Sequence, residues 1–408
     1  MNSFQNITTR RAMGLLLAAC VMVSVGCSPT YEEPPYRMNH AVATEVQMIG
    51  NENAEDDDIE GLINIAGVLE ALFGTPDEPF VLEKATGLRA DLVQAAAGRV
   101  RVNNTGEQRG LYRRHCVHCH GITGDGMGPT AAFLKPYPRD YRQGKFKFKS
   151  TTAAAKPTSH DTPASLAGTK EDVPSDLKRT LLEGIPGTSM PSFRTLPDED
   201  LDALIEYVKY LSIRGQVEEA LMREVSGLIE GENLEYTKEY LVDELLVGIA
   251  DPWKEASSHI FPPPEEPKGD LTKSIARGRK LFYSKDANCV SCHGTEALGD
   301  GQIQIDDWNE FKALGKKQHA ALVDMGAILP KQMLPPRNLR QGVFRGGRRP
   351  LDIYRRIATG IPGAKMQGFT GTLSPEKIWD LVHFVQDLPY EPESLPVDDT
   401  PAVQRDRP

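Results

Sequence analysis

Cys116-Val117-His118-Cys119-His120 and Cys289-Val290-Ser291-Cys292-His293 each place two thiols three residues apart, with an imidazole directly after the second. That spacing lets both sulfurs form thioethers to one porphyrin while the histidine ligates its iron, the arrangement by which c-type haem is attached. A zinc site fits poorly, because neither pair has a second Cys or His pair at zinc-ribbon spacing. A thioredoxin-like redox pair needs a strand before it and a helix after it, and glycine-rich sequence follows each motif instead.

The segments around these motifs recur in the same order, so two copies of one module are expected. Cys-x-x-Cys-His-Gly is followed by Gly124-Asp125-Gly126 in the first and by Gly299-Asp300-Gly301 in the second. Pro138-Arg139-Asp140-Tyr141-Arg142-Gln143-Gly144 then answers to Pro336-Arg337-Asn338-Leu339-Arg340-Gln341-Gly342. A methionine loop follows, Gly184-Ile185-Pro186-Gly187-Thr188-Ser189-Met190 in one copy and Gly360-Ile361-Pro362-Gly363-Ala364-Lys365-Met366 in the other. Each copy closes with apolar residues at helical spacing, Leu201 to Leu211 and Ile378 to Leu388. Met190 and Met366 occupy equivalent places in the repeat, whereas Met127, Met222, Met325 and Met333 do not and read as core fillers.

Outside the modules the chain divides by composition. Arg10-Arg11 and the apolar run Ala12 to Gly26 read as a signal peptide over 1–26, too short to span a membrane. Ser24-Val25-Gly26-Cys27 resembles a lipoprotein processing site, which makes Cys27 the expected lipidated residue; Leu17-Ala18-Ala19-Cys20 fits the short pattern too but leaves apolar Val21 to Val25 at the mature terminus. With Cys20 and Cys27 in this segment and the other four of six cysteines in the motifs, none remains for a disulfide. Residues 27–99 read as an acidic tether followed by short helices. Within them Phe73 to Phe80 is punctuated as a loop packed on the first module. Residues 100–214 form that module, with Ser150 to Lys170 as an inserted surface loop. Residues 215–266 read as an acidic helical connector ending in the stiff Pro262-Pro263-Pro264, residues 267–392 as the second module, and 393–408 as a disordered tail.

These landmarks resemble the class I c-type cytochrome family over both modules. The resemblance implies an all-α fold with two tandem cytochrome c-type domains joined by the helical connector, and two covalently bound haem c groups. It also implies the roles of single residues: Cys116 and Cys119 on the first haem with His120 proximal and Met190 distal, and Cys289, Cys292, His293 and Met366 likewise on the second. A proline carbonyl after the motif, Pro138 or Pro336, is expected to accept the histidine's other N–H, and Arg139 and Arg337 to pair with haem propionates. The remaining histidines, His115, His118, His160, His259, His319 and His383, do not recur and are assigned surface or packing roles, with His160 and His319 as minor alternatives as ligands.

A neutral imidazole with a soft thioether favours ferrous iron and leaves no coordination position open, which points to electron transfer rather than catalysis. The net charge of −10 conceals net basic modules beside acidic flanks, a distribution that suits acidic redox partners. The basic residues lack the interleaved aromatics of a nucleic-acid site. The expectation is an exported, lipid-anchored dihaem relay on the periplasmic side, between a membrane-bound donor and a terminal oxidase or reductase. A dihaem peroxidase-like enzyme and a tightly bound cytochrome subunit of a dehydrogenase or oxidase complex are the alternatives.

Overall fold

A computed structural model describes residues 31–49, 57–102, 108–164, 173–225, 236–302, 304–305 and 314–391. The signal segment, Cys27 and the tail from 392 lie outside the described residues. In chain order the helices are α1 (His40–Ile49), α2 (Asp57–Phe73), α3 (Glu83–Thr86), α4 (Ala90–Ala96), α5 (Leu111–His115), α6 (Val117–His120), α7 (Asp176–Glu183), α8 (Asp198–Val225), α9 (Val247–Lys254), α10 (Leu271–Phe282), α11 (Val290–His293), α12 (Lys316–Asp324), α13 (Pro350–Thr359) and α14 (Pro375–Asp387). The described strands are two-residue antiparallel pairs, so the fold is all-α, with two tandem domains.

The second domain shows the design most simply. Asp270 caps α10 by accepting from Lys273 N, and Ser374 caps α14 by accepting from Lys377 N, with Pro375 at the first helical position where its missing N–H costs nothing. The two helices cross at Gly278, where any Cβ would collide with the Asp380 carbonyl. Arg277 grips the Asp380 carboxylate with two hydrogen bonds of 2.8 and 2.7 Å across the same crossing. Phe282, Trp379, Val382 and Phe384 fill the core beneath, together with Tyr354 from α13.

In the first domain the helix before the motif is only five residues long, and Tyr112 on it packs against Tyr207 of α8. The area that a longer helix would cover is taken by the N-terminal region. Val42, Ile65, Leu69, Phe73 and Val93 share one core with Leu201, Leu204, Tyr207 and Tyr210. Tyr36 lies under the Arg214 guanidinium at 4.1 Å, and Asn39 N donates to Glu218 at 3.0 Å. The expected acidic tether, Asn51 to Glu60, falls mainly on residues 51–56, which lie outside the described residues; its last four, Asp57 to Glu60, form the first turn of α2. The Phe73 to Phe80 loop packs on the first domain as expected, through Tyr210 OH donating to Phe73 O and the Arg113–Asp77 ion pair.

α8 runs unbroken for 28 residues, from Asp198 past position 214 to Val225, so the closing helix of the first domain and the start of the connector are one element. A π-helical stretch, Glu239–Leu246, and α9 after it return Leu246, Ala250 and Trp253 to the first domain's core. The expected surface loop from Ser150 keeps residues 152–154, 160 and 161 exposed and is anchored by buried Thr151, Thr158 and Thr162, and Asp176 accepts from Ser150 N at 2.8 Å and Thr158 N at 3.1 Å. Its residues 165–172 lie outside the described set.

The connector's proline run holds both domains. Phe261 N donates to Ser150 O at 2.9 Å, Arg355 Nε to Phe261 O at 3.1 Å, and Trp379 Nε1 to Pro264 O at 3.2 Å. Beside it the helices that precede the two methionine loops, α7 and α13, meet through equivalent positions. Arg179 on α7 binds Asp352 on α13 at 2.7 Å, and Asp176 and Arg355 stand at the matching places of the repeat. No helix among the described residues is long and apolar enough to cross a membrane.

Candidate haem sites

Both motifs fold into the same short turn. His120 N donates to Cys116 O at 2.9 Å and His293 N to Cys289 O at 2.9 Å, so the two sulfurs and the imidazole of each motif leave one helical turn. None of the four motif cysteines is in a disulfide, so all four sulfurs are left for the porphyrins. Burial pushes the Cys116 and Cys289 thiols up to about 12. A thiol kept neutral and apolar in this way sits naturally against a porphyrin edge.

The histidines are set up as neutral ligands. His120 Nδ1 lies 3.1 Å from Arg139 O and His293 Nδ1 lies 3.1 Å from Arg337 O. A carbonyl only accepts, so Nδ1 carries the proton and the Nε2 lone pair is left for iron. Burial pushes His120 down to about 4 against the opposing pull of the Arg139 carbonyl, and it lowers His293 in the same way. Tyr141 stacks on the His120 ring with centroids 4.6 Å apart, fixing its plane. These features fit an axial imidazole in each domain.

The acceptor is one residue later than expected. The carbonyls of Pro138 and Pro336 face the glycines of the preceding loop: a Cβ on Gly126 would stand 2.6 Å from Pro138 O, and one on Gly299 would collide with Pro336 O. Proline has no N–H, but its carbonyl is placed by this glycine contact, which turns the next carbonyl toward the imidazole. The same contacts correct the repeat's register. Gly126 N donates to His120 O and Gly299 N to His293 O, while Tyr141 N binds Gly124 O and Leu339 N binds Ala297 O. Gly126 is thus the counterpart of Gly299, and Gly124 of Ala297, which adopts φ +58°. The two Gly-Asp-Gly tripeptides are offset by two residues, yet Asp125 and Asp300 both bring a carboxylate against the glycine after the histidine, Gly121 or Gly294.

The methionine loops are superimposable in their bonding. Each preceding helix ends at a glycine with positive φ, Gly184 at +66° and Gly360 at +74°. Ile185 N then donates to Met190 O at 3.1 Å and Ile361 N to Met366 O at 3.0 Å. A Cβ at Gly184 or Gly360 would lie 2.7 or 2.5 Å from those methionine carbonyls, so only glycine permits the closure. Phe193 N to Leu181 O at 2.8 Å and Phe369 N to Ile357 O at 3.0 Å tie the far end of each loop back to its helix. Met190 packs half-buried on the core that contains Cys116, and Met366 on the core beside Cys289.

The other candidates separate clearly. Met222 is buried in the core as expected, but Met325 and Met333 are exposed, so they fill nothing. His118 is exposed, and His383 is buried in a polar network with Ser274 at 2.7 Å and Glu266 at 3.0 Å. Sequence reasoning missed Arg37, whose backbone N donates to Thr123 at 2.9 Å and whose side chain pairs with Asp125 at 3.6 Å, clamping the loop behind the first motif. It stands some 80 residues upstream, and no repeat or spacing marks it.

Comparison with known proteins agrees with this geometry. Residues 103–208 match the family described as cytochrome c oxidase, cbb3-type, subunit III, and residues 275–389 match the family described as cytochrome c. Both domains are therefore c-type cytochrome domains. The chain belongs to the c-type cytochromes as a tandem dihaem protein with two covalently bound haem c groups. No curated protein matches. A solved chain titled as part of the Kuenenia stuttgartiensis reducing HAO-like protein complex is similar at 22% identity, with 71% of this chain and 99% of that chain covered and a TM-score of 0.44.

Proposed function

We propose that this cytochrome is an exported electron relay whose two haems both have His/Met ligation, His120 with Met190 and His293 with Met366. It passes single electrons from a membrane-bound donor to a terminal oxidase or reductase. The observation that carries this reading is the pair of methionine loops, closed by the same hydrogen bonds and the same positive-φ glycines. The haems supply one-electron redox chemistry at the high-potential end, as a thioether opposite a neutral imidazole favours ferrous iron. The chain's own residues supply the rest. The Arg139 and Arg337 carbonyls hold each imidazole's proton on Nδ1, the cores exclude water, and Met190 and Met366 would supply the thioethers. With both methionines as ligands, a peroxidase-like reading would lack the open iron it needs.

Export and anchoring through a lipid on Cys27, on the periplasmic side, belong to the same proposal. They rest on the basic-apolar start of the chain and the Cys27 context. The net basic domains suit transient docking on acidic redox partners, without nucleic acid. Intact-mass measurement of the mature protein tests the processing: the expected mass is the chain from Cys27 plus two haems plus a lipid, and an unlipidated chain starting elsewhere removes the anchor. The match of residues 103–208 to an oxidase subunit supports a second reading, a tightly bound cytochrome subunit of a larger complex. Purification under mild detergent separates the two, since only the second predicts a stoichiometric partner.

A further inference from the structure

Arg337 belongs to both haem sites. Its backbone carbonyl accepts from His293 Nδ1 at 3.1 Å, on the proximal side of the second site. Its side chain crosses to the first domain, where the Nη1–Nη2 end of the guanidinium abuts Gly187 in the turn leading to Met190. A Cβ at Gly187 would stand 2.8 Å from Arg337 Nη2 and 3.2 Å from Nη1. Arg337 Nε donates to Val343 O at 3.2 Å, which fixes the fork from behind. A second arginine of the same domain, Arg345, donates from Nη2 to Gly187 O at 3.3 Å. Gly187 thus has Arg337 against its α-carbon and Arg345 on its carbonyl, both from the second domain.

The turn they hold is short and internally bonded. Thr188 N donates to Ile185 O at 3.1 Å, Thr188 Oγ1 to the same oxygen at 2.8 Å, and Met190 N to Thr188 Oγ1 at 3.1 Å. A displacement of Gly187 therefore passes through Thr188 to Met190 with little slack. Gly187 also has φ +71°, and its bare α-carbon is what lets a planar guanidinium approach so closely.

We infer that Arg337 and Arg345 are positioning residues through which the second domain braces the Met190 loop of the first, so that Met190's hold on its haem depends on domain docking. The brace also links the sites: Arg337 carries the hydrogen bond that tunes His293 at one end and supports Met190's loop at the other. The lone sequence role expected for Arg337, pairing with a propionate of its own haem, does not account for a guanidinium laid on the neighbouring domain. This inference rests on the reading of Met190 as a ligand, and the test keeps the two apart.

The test uses the full-length dihaem protein and the variants Arg337→Ala and Arg345→Ala, with Arg348→Ala, on the exposed surface of the second domain, as the control. Arg337→Ala keeps the backbone carbonyl, so the His293 hydrogen bond survives while the brace and its tie to Val343 O are lost. Hydrogen exchange of a peptide covering 184–190 reports the loop directly, whatever ligates the iron. The second readout is the rate at which added imidazole displaces methionine from the ferric haems. The third is the pair of ring-shifted methionine methyl signals of the reduced protein, assigned with Met190→Ala and Met366→Ala. The expected result is faster exchange across 184–190 in both brace variants. Imidazole entry at one haem should quicken roughly tenfold in Arg345→Ala, as loss of its charge-assisted hydrogen bond would produce, and in the same direction in Arg337→Ala, and the Met190 methyl signal should move while that of Met366 stays. Unchanged loop exchange and imidazole entry in both variants overturn the inference. So does equal loosening at both haems, which marks the arginines as general staples. If the wild type shows no Met190 signal but the brace variants still loosen 184–190, the ligand reading fails and the brace stands.

Discussion

Gly278→Ala should be among the most damaging single-methyl changes in the second domain. At the α10–α14 crossing the added Cβ would collide with the Asp380 carbonyl oxygen and lie 2.6 Å from its carbon and 2.9 Å from Phe384 Cβ. Carbon atoms pack at about 3.5 to 4 Å, so the helices must part by about 1 Å. Backbone cannot swing aside as a flexible side chain could. Overpacking of this kind costs about 1–3 kcal/mol. Parting the helices also strains the Ser274 and Arg277 bonds to Asp380, in a class worth about 1.5–3 kcal/mol when charged. Against this, alanine gains about 1 kcal/mol of helix propensity over glycine. The net expectation is a loss of about 2–4 kcal/mol in the second domain. Denaturant unfolding of the haem-loaded protein, followed by Soret-region circular dichroism, reads it as a lowered midpoint with the slope kept. Gly248→Ala is the control: it lies in α9 with nothing within 4 Å of a new Cβ, and should stabilise by about 0.5–1 kcal/mol. A Gly278→Ala protein as stable as the wild type would refute the close helix crossing.

Other consequences follow from the seam and the ligand loops. Asp352→Asn should destabilise the docked domains by about 3–5 kcal/mol, since Arg179 and Arg349 would face a buried neutral amide, and a double-mutant cycle with Arg179→Ala should show strong coupling. Burial raises the Asp352 carboxyl, but the Arg349 hydrogen bonds and the Arg179 charge outweigh it and leave it below its ordinary value. Its stabilisation is therefore complete above about pH 4 and lost as pH falls through the lower folded value; small-angle scattering across that acid range should show the domains loosening in the wild type and not further in Asp352→Asn. Met190→Ala or Met366→Ala should open one iron to carbon monoxide and lower that haem's potential alone, because water replaces the thioether that favours ferrous iron; an unchanged near-infrared band and potential would remove that methionine from the ligand set.

What the sequence could show was local and repeated. The Cys-x-x-Cys-His turns and the methionine loops need only residues within a few positions of each other, and their duplication marked them as functional. The register of the Gly-Asp-Gly segments was misread because identical tripeptides occupy places two residues apart, and only the bonds from Gly126 and Gly299 to the histidine carbonyls reveal it. The histidine's acceptor moved from proline to arginine for a related reason: which carbonyl faces the ring is decided by a glycine contact in another loop. The docking of the N-terminal helices on the first domain, Arg37 and the Arg337 brace depend on packing between segments far apart in the chain. Their residue types, mostly ordinary aliphatics and arginines, carry no spacing signal for it.

A potentiometric titration of the purified protein, monitored by optical and paramagnetic spectroscopy together, tests the central claim most directly. The account predicts two low-spin haems, each with the weak near-infrared sulfur-to-iron band when oxidised, both at the high-potential end and neither binding carbon monoxide readily when reduced. One high-spin or bis-histidine haem, with hydrogen-peroxide turnover, would contradict it and favour the peroxidase-like reading.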